Sequence, residues 1–178
     1  MKVVDLFAGV GGLSFGFAMA NFETVFALEH DESIANTYKL NHPNTDVFST
    51  DIEKLNLKEL TKKYKNIDVV VGGPPCQGFS QKGKRLSLDD ERNYLFRYFI
   101  EFVKAFKPKY FLLENVPGML QLPDAFQTIV KALEGVGYQV KTEVISARCV
   151  TATSRKRLLF VGLRTSPSCN TTATPFEF

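Results

Sequence analysis

Short apolar runs that alternate with longer helix-like segments predict a doubly wound α/β fold with a mostly parallel sheet. A glycine-rich turn follows the first run directly, and a cysteine or carboxylates stand at the ends of later runs. Polar chemistry is thereby gathered at one edge, the carboxyl ends of the strands, where open α/β sheets bind ligands. With 178 residues, 44% hydrophobic and 23% charged, the chain suits one such domain. A chain of this size buries roughly 70% of its unfolded surface, so its core needs no disulfide or metal.

In chain order, the strands are expected at Val3 to Phe7, Thr24 to Leu28, Val47 and Phe48, Val69 to Val71, Tyr110 to Leu113 and Leu158 to Gly162. Each is short and apolar, several are β-branched, and flanking polar or turn residues bound them. Between them, Leu13 to Ala20, Asp31 to Asn41, Leu57 to Tyr64, Asn93 to Phe106 and Ala125 to Gly135 carry helical periodicity. Gly137 to Ile145 is a further strand, and Tyr138–Ile145 with Leu158–Leu163 forms an antiparallel edge, common in mixed sheets. Gln81 to Arg92, QKGKRLSLDDER, is polar and turn-prone and reads as a functional loop able to close over a ligand. From Thr165 the sequence TSPSCNTTATPFEF lacks apolar periodicity and reads as an irregular tail. The expected division is therefore a folded domain over 1–164 and a tail over 165–178.

Lys and Arg total 22 against 19 Asp and Glu, a net charge of +3 that permits nucleic acid without demanding it. Cys76, Cys149 and Cys169 are widely spaced, with no CxxC pair and no dense disulfide framework. A reducing cytosol is the expected setting. The N-terminal stretch MKVVDLFAGVGGLSFGF is interrupted by Asp5 and is read as neither signal peptide nor membrane span. His30 and His42 have no ligand spacing, so no metal is expected.

Phe7-Ala8-Gly9-Val10-Gly11-Gly12 lets the backbone turn sharply and approach a ligand before the helix begins. Its Gly9-x-Gly11-x-x-Ser14 spacing departs from the dinucleotide fingerprint at the third glycine, so a purely structural turn stays open. The next strand ends at Glu29, where a carboxylate can accept from both hydroxyls of a ribose or simply be solvated. Asp51 follows the third strand, placed either for an adenine edge or as a helix cap. Together these features suggest an adenosine-containing ligand.

Gly72-Gly73-Pro74-Pro75-Cys76-Gln77-Gly78-Phe79-Ser80 follows an apolar strand, and two prolines frame a stiff turn that presents the Cys76 sulfur. A reactive thiolate needs a positive field or a helix N-terminus, and Arg155 and Arg157 are candidates. Leu112-Leu113-Glu114-Asn115-Val116-Pro117-Gly118 ends another strand with a carboxylate on the same edge. Glu114 there can face Cys76 and donate a proton to a ring nitrogen, or can be a turn carboxylate. In Ser154-Arg155-Lys156-Arg157 the arginines alternate, so in extended chain both point one way, a pair suited to phosphate or a heterocycle carbonyl, or to a solvated turn.

These motifs resemble, in content and order, those of the C5-cytosine DNA methyltransferases. DLFAGVGGLSFGF is similar to the family's first motif, GGPPCQGFS to its catalytic motif, ERNYLF to the segment after the mobile loop, and ENVPG to its carboxylate motif. The resemblance implies the S-adenosylmethionine-dependent, Rossmann-like methyltransferase fold. It implies S-adenosyl-L-methionine as methyl donor, lined by Phe7, Ala8, Gly9, Gly11 and Gly12, with Glu29 on the ribose, Asp51 and Ile52 beside the adenine, and Pro75 and Leu95 completing the contact. It implies that Cys76 adds to C6 of a cytosine flipped out of double-stranded DNA, with Glu114 donating to N3 and Arg155 and Arg157 beside the base. Lys82, Lys84 and Arg85 are then expected on phosphates.

The family's arginine motif carries a Tyr-Gly-Val-Pro-Gln lead, and Cys149-Val150-Thr151-Ala152-Thr153 stands there instead. Family members also continue into a target-recognition domain and a final helix, so the resemblance implies a catalytic region of a bacterial restriction-modification enzyme. The sequence-reading surface is then expected elsewhere, on a missing C-terminal part or on a second polypeptide. A cofactor-binding fragment without activity of its own, and a relative acting on transfer RNA, are the alternatives.

Overall fold

The computed structural model describes residues 1–75, 94–149 and 153–165. Cys76, the loop Gln81 to Arg92, Val150 to Ala152 and the tail from 166 onward lie outside the described residues.

Among the described residues seven strands form one sheet: β1 (Lys2–Leu6), β2 (Glu23–Glu29), β3 (Asp46–Ser49), β4 (Val69–Gly72), β5 (Tyr110–Asn115), β6 (Tyr138–Ser146) and β7 (Lys156–Arg164). Their order is β3-β2-β1-β4-β5-β7-β6. The pairs β1/β2, β2/β3, β1/β4 and β4/β5 are parallel, while β7 runs antiparallel to both β5 and β6. The mixed sheet with its antiparallel edge is the expected architecture. The order reverses between β1 and β4, and Leu6 lies opposite Gly72 there. The glycine turn after β1 and the proline turn after β4 therefore leave the sheet side by side, at the switch point where such folds hold their ligands.

Among the described residues five α-helices cover the two faces: α1 (Gly12–Met19), α2 (Glu32–Asn41), α3 (Leu57–Lys63), α4 (Tyr94–Phe106) and α5 (Pro123–Glu134). Strand alternation decides which residue meets which layer. Val4, Leu6, Val70, Phe111 and Leu113 join the large core with Phe96, Phe99, Phe102, Ile129 and Leu133. On the opposite face Val3, Val69 and Val71 pack with Leu13 and Phe17 of α1.

The helix ends follow local chemistry. Asp31 caps α2 by accepting from the Ile34 amide at 2.9 Å, and Asn56 caps α3 by accepting from the Glu59 amide at 3.3 Å. Pro123 opens α5, where its missing N–H costs nothing. Thr165 stays tied to the sheet, since its amide and hydroxyl both donate to the Gly137 carbonyl. Among the described residues no helix is long and apolar enough to cross a membrane.

Candidate functional site

The backbone leaves β1 through three left-handed residues at alternate positions. Phe7, Gly9 and Gly11 have φ of 58°, 57° and 93°, in the left-handed region. The turn is tied down by the Ala8 amide donating to the Leu28 carbonyl at 2.9 Å and the Gly11 amide donating to the Ala8 carbonyl at 3.0 Å. A Cβ on Gly9 would meet no atom within 4 Å, so the backbone there faces open space that a ligand can approach closely.

Glu29 ends β2 only 6% exposed, and its carboxylate is oriented by backbone. The Gly9 amide donates to Oε2 at 2.9 Å and the Asp31 amide donates to Oε1 at 3.0 Å. His30 Nδ1 lies 3.0 Å from the same Oε1. A carboxylate offers about four acceptor directions. Glu29 therefore keeps acceptor capacity for a ribose hydroxyl while already fastened to the glycine turn. An exposed backbone turn joined to an oriented carboxylate fits the ribose and amino-acid ends of S-adenosylmethionine. Phe7, Ala8, Gly9, Gly11, Gly12 and Glu29 are thus brought together. Asp51 sits at the head of the 3-10 turn Ile52–Lys54. Its side chain makes no cap; the Lys54 ammonium 2.5 Å away holds that carboxyl below the usual range. Ile52 is buried in the main core, and Leu95 in the first turn of α4 packs against that core.

The glycine turn rests on a buried polar chain that the sequence reading did not find. Tyr38 of α2 donates to Ser14 Oγ at 2.6 Å, and the Ser14 hydroxyl donates to Asp5 Oδ2 at 2.6 Å. Asp5 has no exposure, and burial pushes its carboxyl up to about 7; the Ser14 hydrogen bond opposes this and the Glu29 charge adds to it. Burial likewise pushes the Tyr38 phenol up to about 12. The sequence signal of this polar chain is a carboxylate, Asp5, inside the apolar run Val3 to Phe7.

The other half of the edge carries the carboxylate and the arginines. Pro74 is buried and Pro75 exposed at the end of the described strand turn. A Cβ placed on Gly73 would lie 3.1 Å from Glu114 Oε2, so the glycine is what lets the carboxylate lie against this turn. Glu114 stands opposite Leu159 in the β5/β7 ladder, which puts Arg157 two residues along the same face. The Arg157 guanidinium accordingly meets Glu114 Oε1.

Arg155 is placed differently. It is exposed just before β7, its amide donates to Thr153 Oγ1 at 3.3 Å, and its carbonyl accepts from the Ala147 amide. Asn115, next to Glu114, is 5% exposed and accepts from the Val116 amide through Oδ1 at 2.7 Å, a buried polar group on this edge that the sequence reading did not single out. Among the described residues no cluster of His, Cys, Asp and Glu could hold a metal ion.

The model of the family described as C-5 cytosine-specific DNA methylase matches residues 1–178. The type II methyltransferase M.DdeI of Desulfomicrobium norvegicum is 40% identical over 96% of this chain, which covers 42% of that relative. M.NgoPII of Neisseria gonorrhoeae is 40% identical, with 92% and 48% covered. M.AquIA of Picosynechococcus is 37% identical, with 92% of this chain and 72% of the relative covered. Among solved structures, a prophage-encoded E. coli protein described as a DNA modification methyltransferase matches with a TM-score of 0.78 and 35% identity, covering 92% of this chain and 47% of that one. The chain thus spans less than half the length of the first of these relatives.

Proposed function

The chain belongs to the C-5 cytosine-specific DNA methylase family, and from that premise we propose that residues 1–164 are the catalytic and cofactor-binding unit of a DNA (cytosine-5-)-methyltransferase of a restriction-modification system, acting on double-stranded DNA in the cytosol. One observation carries the reading. The Glu29-fastened glycine turn and the Glu114–Arg157 pair lie on the same sheet edge, on the two sides of the β1/β4 switch point.

S-adenosyl-L-methionine, when bound, supplies an electrophilic methyl group. Phe7, Ala8, Gly9, Gly11 and Gly12 would line it, Glu29 would hold the ribose, Asp51 and Ile52 the adenine end, and Pro75 and Leu95 the side toward the base. Every other role falls to the chain's own groups and the base. The Cys76 thiolate adds to C6 of a flipped cytosine, and Glu114 gives a proton to N3, so the ring carries no accumulating negative charge and C5 becomes nucleophilic. Arg157 holds the Glu114 carboxyl group in place, and Arg155, at the exposed rim, is free to approach the base carbonyl or a phosphate. After methylation, a general base takes the C5 proton, the Cys76 sulfur leaves C6 as the thiolate and the N3 proton returns to Glu114, which restores the enzyme. The surface that reads the DNA sequence is assigned outside 1–164, to the part of the relatives' length that this unit does not span or to a second polypeptide.

The test is methyl transfer from labelled S-adenosylmethionine to cytosine-containing duplex, by the chain alone and with a candidate second polypeptide. Transfer, and a covalent Cys76 adduct with 5-fluorocytosine duplex that Cys76→Ser abolishes, is the expected result. Absence of both in both mixtures refutes the reading.

A further inference from the structure

Three side chains from the last turn of α2 converge on the glycine turn from behind. The Asn41 amide donates to the Val10 carbonyl at 2.8 Å. His42 Nε2 lies 3.0 Å from the Gly11 carbonyl, and because a carbonyl only accepts, that nitrogen carries the hydrogen. Tyr38 reaches the same region through Ser14, and its ring lies against the His42 ring, with centroids 4.5 Å apart.

Gly11 gives the arrangement a second, independent mark. A Cβ there would fall 2.3 Å from His42 Nε2 and 3.0 Å from the Tyr38 ring. The imidazole occupies the space a side chain at position 11 would need. The absence of a side chain at Gly11 is therefore required by His42 as well as by its φ of 93°. The other end of α2 is equally committed, since the Asp31 amide that precedes the helix donates to Glu29 Oε1. A helix of 10 residues, about 15 Å long, thus links the carboxylate to the glycine turn.

We infer that the last turn of α2 is a clamp that fixes the glycine turn in its binding shape, with Asn41 and His42 as positioning residues for the cofactor; this rests on the reading of that turn as the cofactor's cradle. The two backbone carbonyls they hold, those of Val10 and Gly11, share planar peptide units with the Gly11 and Gly12 amides, so the clamp fixes how those two amides face where the chain enters α1. Neither side chain is deep in the core. Asn41 is exposed and His42 half-buried, so removing them disturbs the turn more than the fold.

The experiment compares wild type, His42→Ala, His42→Gln and Asn41→Asp by the amide resonances of Gly11 and Gly12 and by calorimetric titration with S-adenosylhomocysteine. Thermal melts check the fold of each. His42→Ala and Asn41→Asp are expected to move the glycine resonances and weaken binding about tenfold, the size of one or two lost hydrogen bonds. His42→Gln keeps an N–H donor and is expected to recover most of the affinity. Glycine resonances and affinity unmoved in both damaging variants overturn the clamp alone. Resonances that move in a chain whose wild type does not bind the nucleoside overturn the cofactor reading of the turn, and the positioning role with it.

Discussion

Glu114 and Arg157 sit diagonally across the antiparallel β5/β7 ladder, with the guanidinium on Oε1 of the carboxylate and Oε2 left lying against Gly73. The side chains are 26% and 22% exposed, so the ion pair is partly screened and adds at most about 1 kcal/mol to stability. Its weight lies in orientation. Arg157→Ala releases the carboxylate from its place beside the proline turn and is expected to lower the rate of methyl transfer about 100-fold while shifting the melting temperature little. Arg157→Lys keeps the charge without the planar fork and should fall between the two. Single-turnover rates with saturating duplex measure this; a rate within threefold of wild type for Arg157→Ala refutes it.

Glu29 takes two backbone amides, from Gly9 and Asp31, and both lose their acceptor together in Glu29→Ala. Hydrogen bonds to a charged acceptor are the stronger kind. Binding of S-adenosylhomocysteine is expected to weaken by about 100-fold in Glu29→Ala and by about tenfold in Glu29→Gln, which retains one acceptor oxygen. Titration calorimetry reads both, and equal affinities for the three proteins would contradict a ribose role for this carboxylate.

Asp5 predicts an inverted pH dependence for a carboxylate. Its carboxyl rises from 3.8 to about 7 on burial, so between those values the folded chain keeps a proton that the unfolded chain has released. The stability this group contributes is full below about pH 4 and is lost as pH rises through about 7. Asp5→Asn removes the titration but retains an acceptor for the Ser14 hydroxyl. The variant is expected to gain on wild type from about pH 4 to about pH 7 and to hold that gain above it, by an amount on the order of a few kcal/mol. Melting temperatures across that range decide it; parallel curves for the two proteins contradict a buried, proton-holding Asp5.

The strands were legible because their burial is one-dimensional information. Thr24 to Leu28 and Val69 to Val71 are apolar runs that became β2 and β4 with one or two residues added at their ends. β7 extends further, from Lys156 to Arg164, because pairing with β6 draws its charged ends Lys156, Arg157 and Arg164 into the ladder, while β5 pairs only with Leu158 to Leu163. Glu29 and Glu114 were legible for the same reason, as polar residues terminating apolar strands. The Tyr38–Ser14–Asp5 chain and the seat of His42 on Gly11 were not. Each depends on where a helix end 24 to 31 residues away comes to rest, which no local spacing records. The pairing of Glu114 with Arg157, with Arg155 left at the rim, likewise follows from the β5/β7 register. Alternation alone made the two arginines equivalent.

That register has its own weak point at Gly162, opposite Phe111. A Cβ at position 162 would fall 1.9 Å from the Phe111 ring, which is fully buried and also packs edge-on against Phe99 at 6.1 Å between centroids. The ring has replaced the side chain, and Gly162→Ala must push either the ring or the strand aside. A cost of about 1–3 kcal/mol in urea denaturation is expected from such overpacking. Phe111→Leu in the same chain makes room and should recover part of it, so the double-mutant cycle gives a favourable coupling. Phe111 is three residues from Glu114 on β5, and Gly162 five from Arg157 on β7. A strand displaced at Gly162 therefore moves the guanidinium relative to the carboxylate. Gly162→Ala is expected to lower the rate of methyl transfer while leaving affinity for S-adenosylhomocysteine unchanged, because the glycine turn and Glu29 lie across the switch point on β1 and β2. A loss of nucleoside affinity equal to the loss of rate would show instead that the two halves of the edge move as one body.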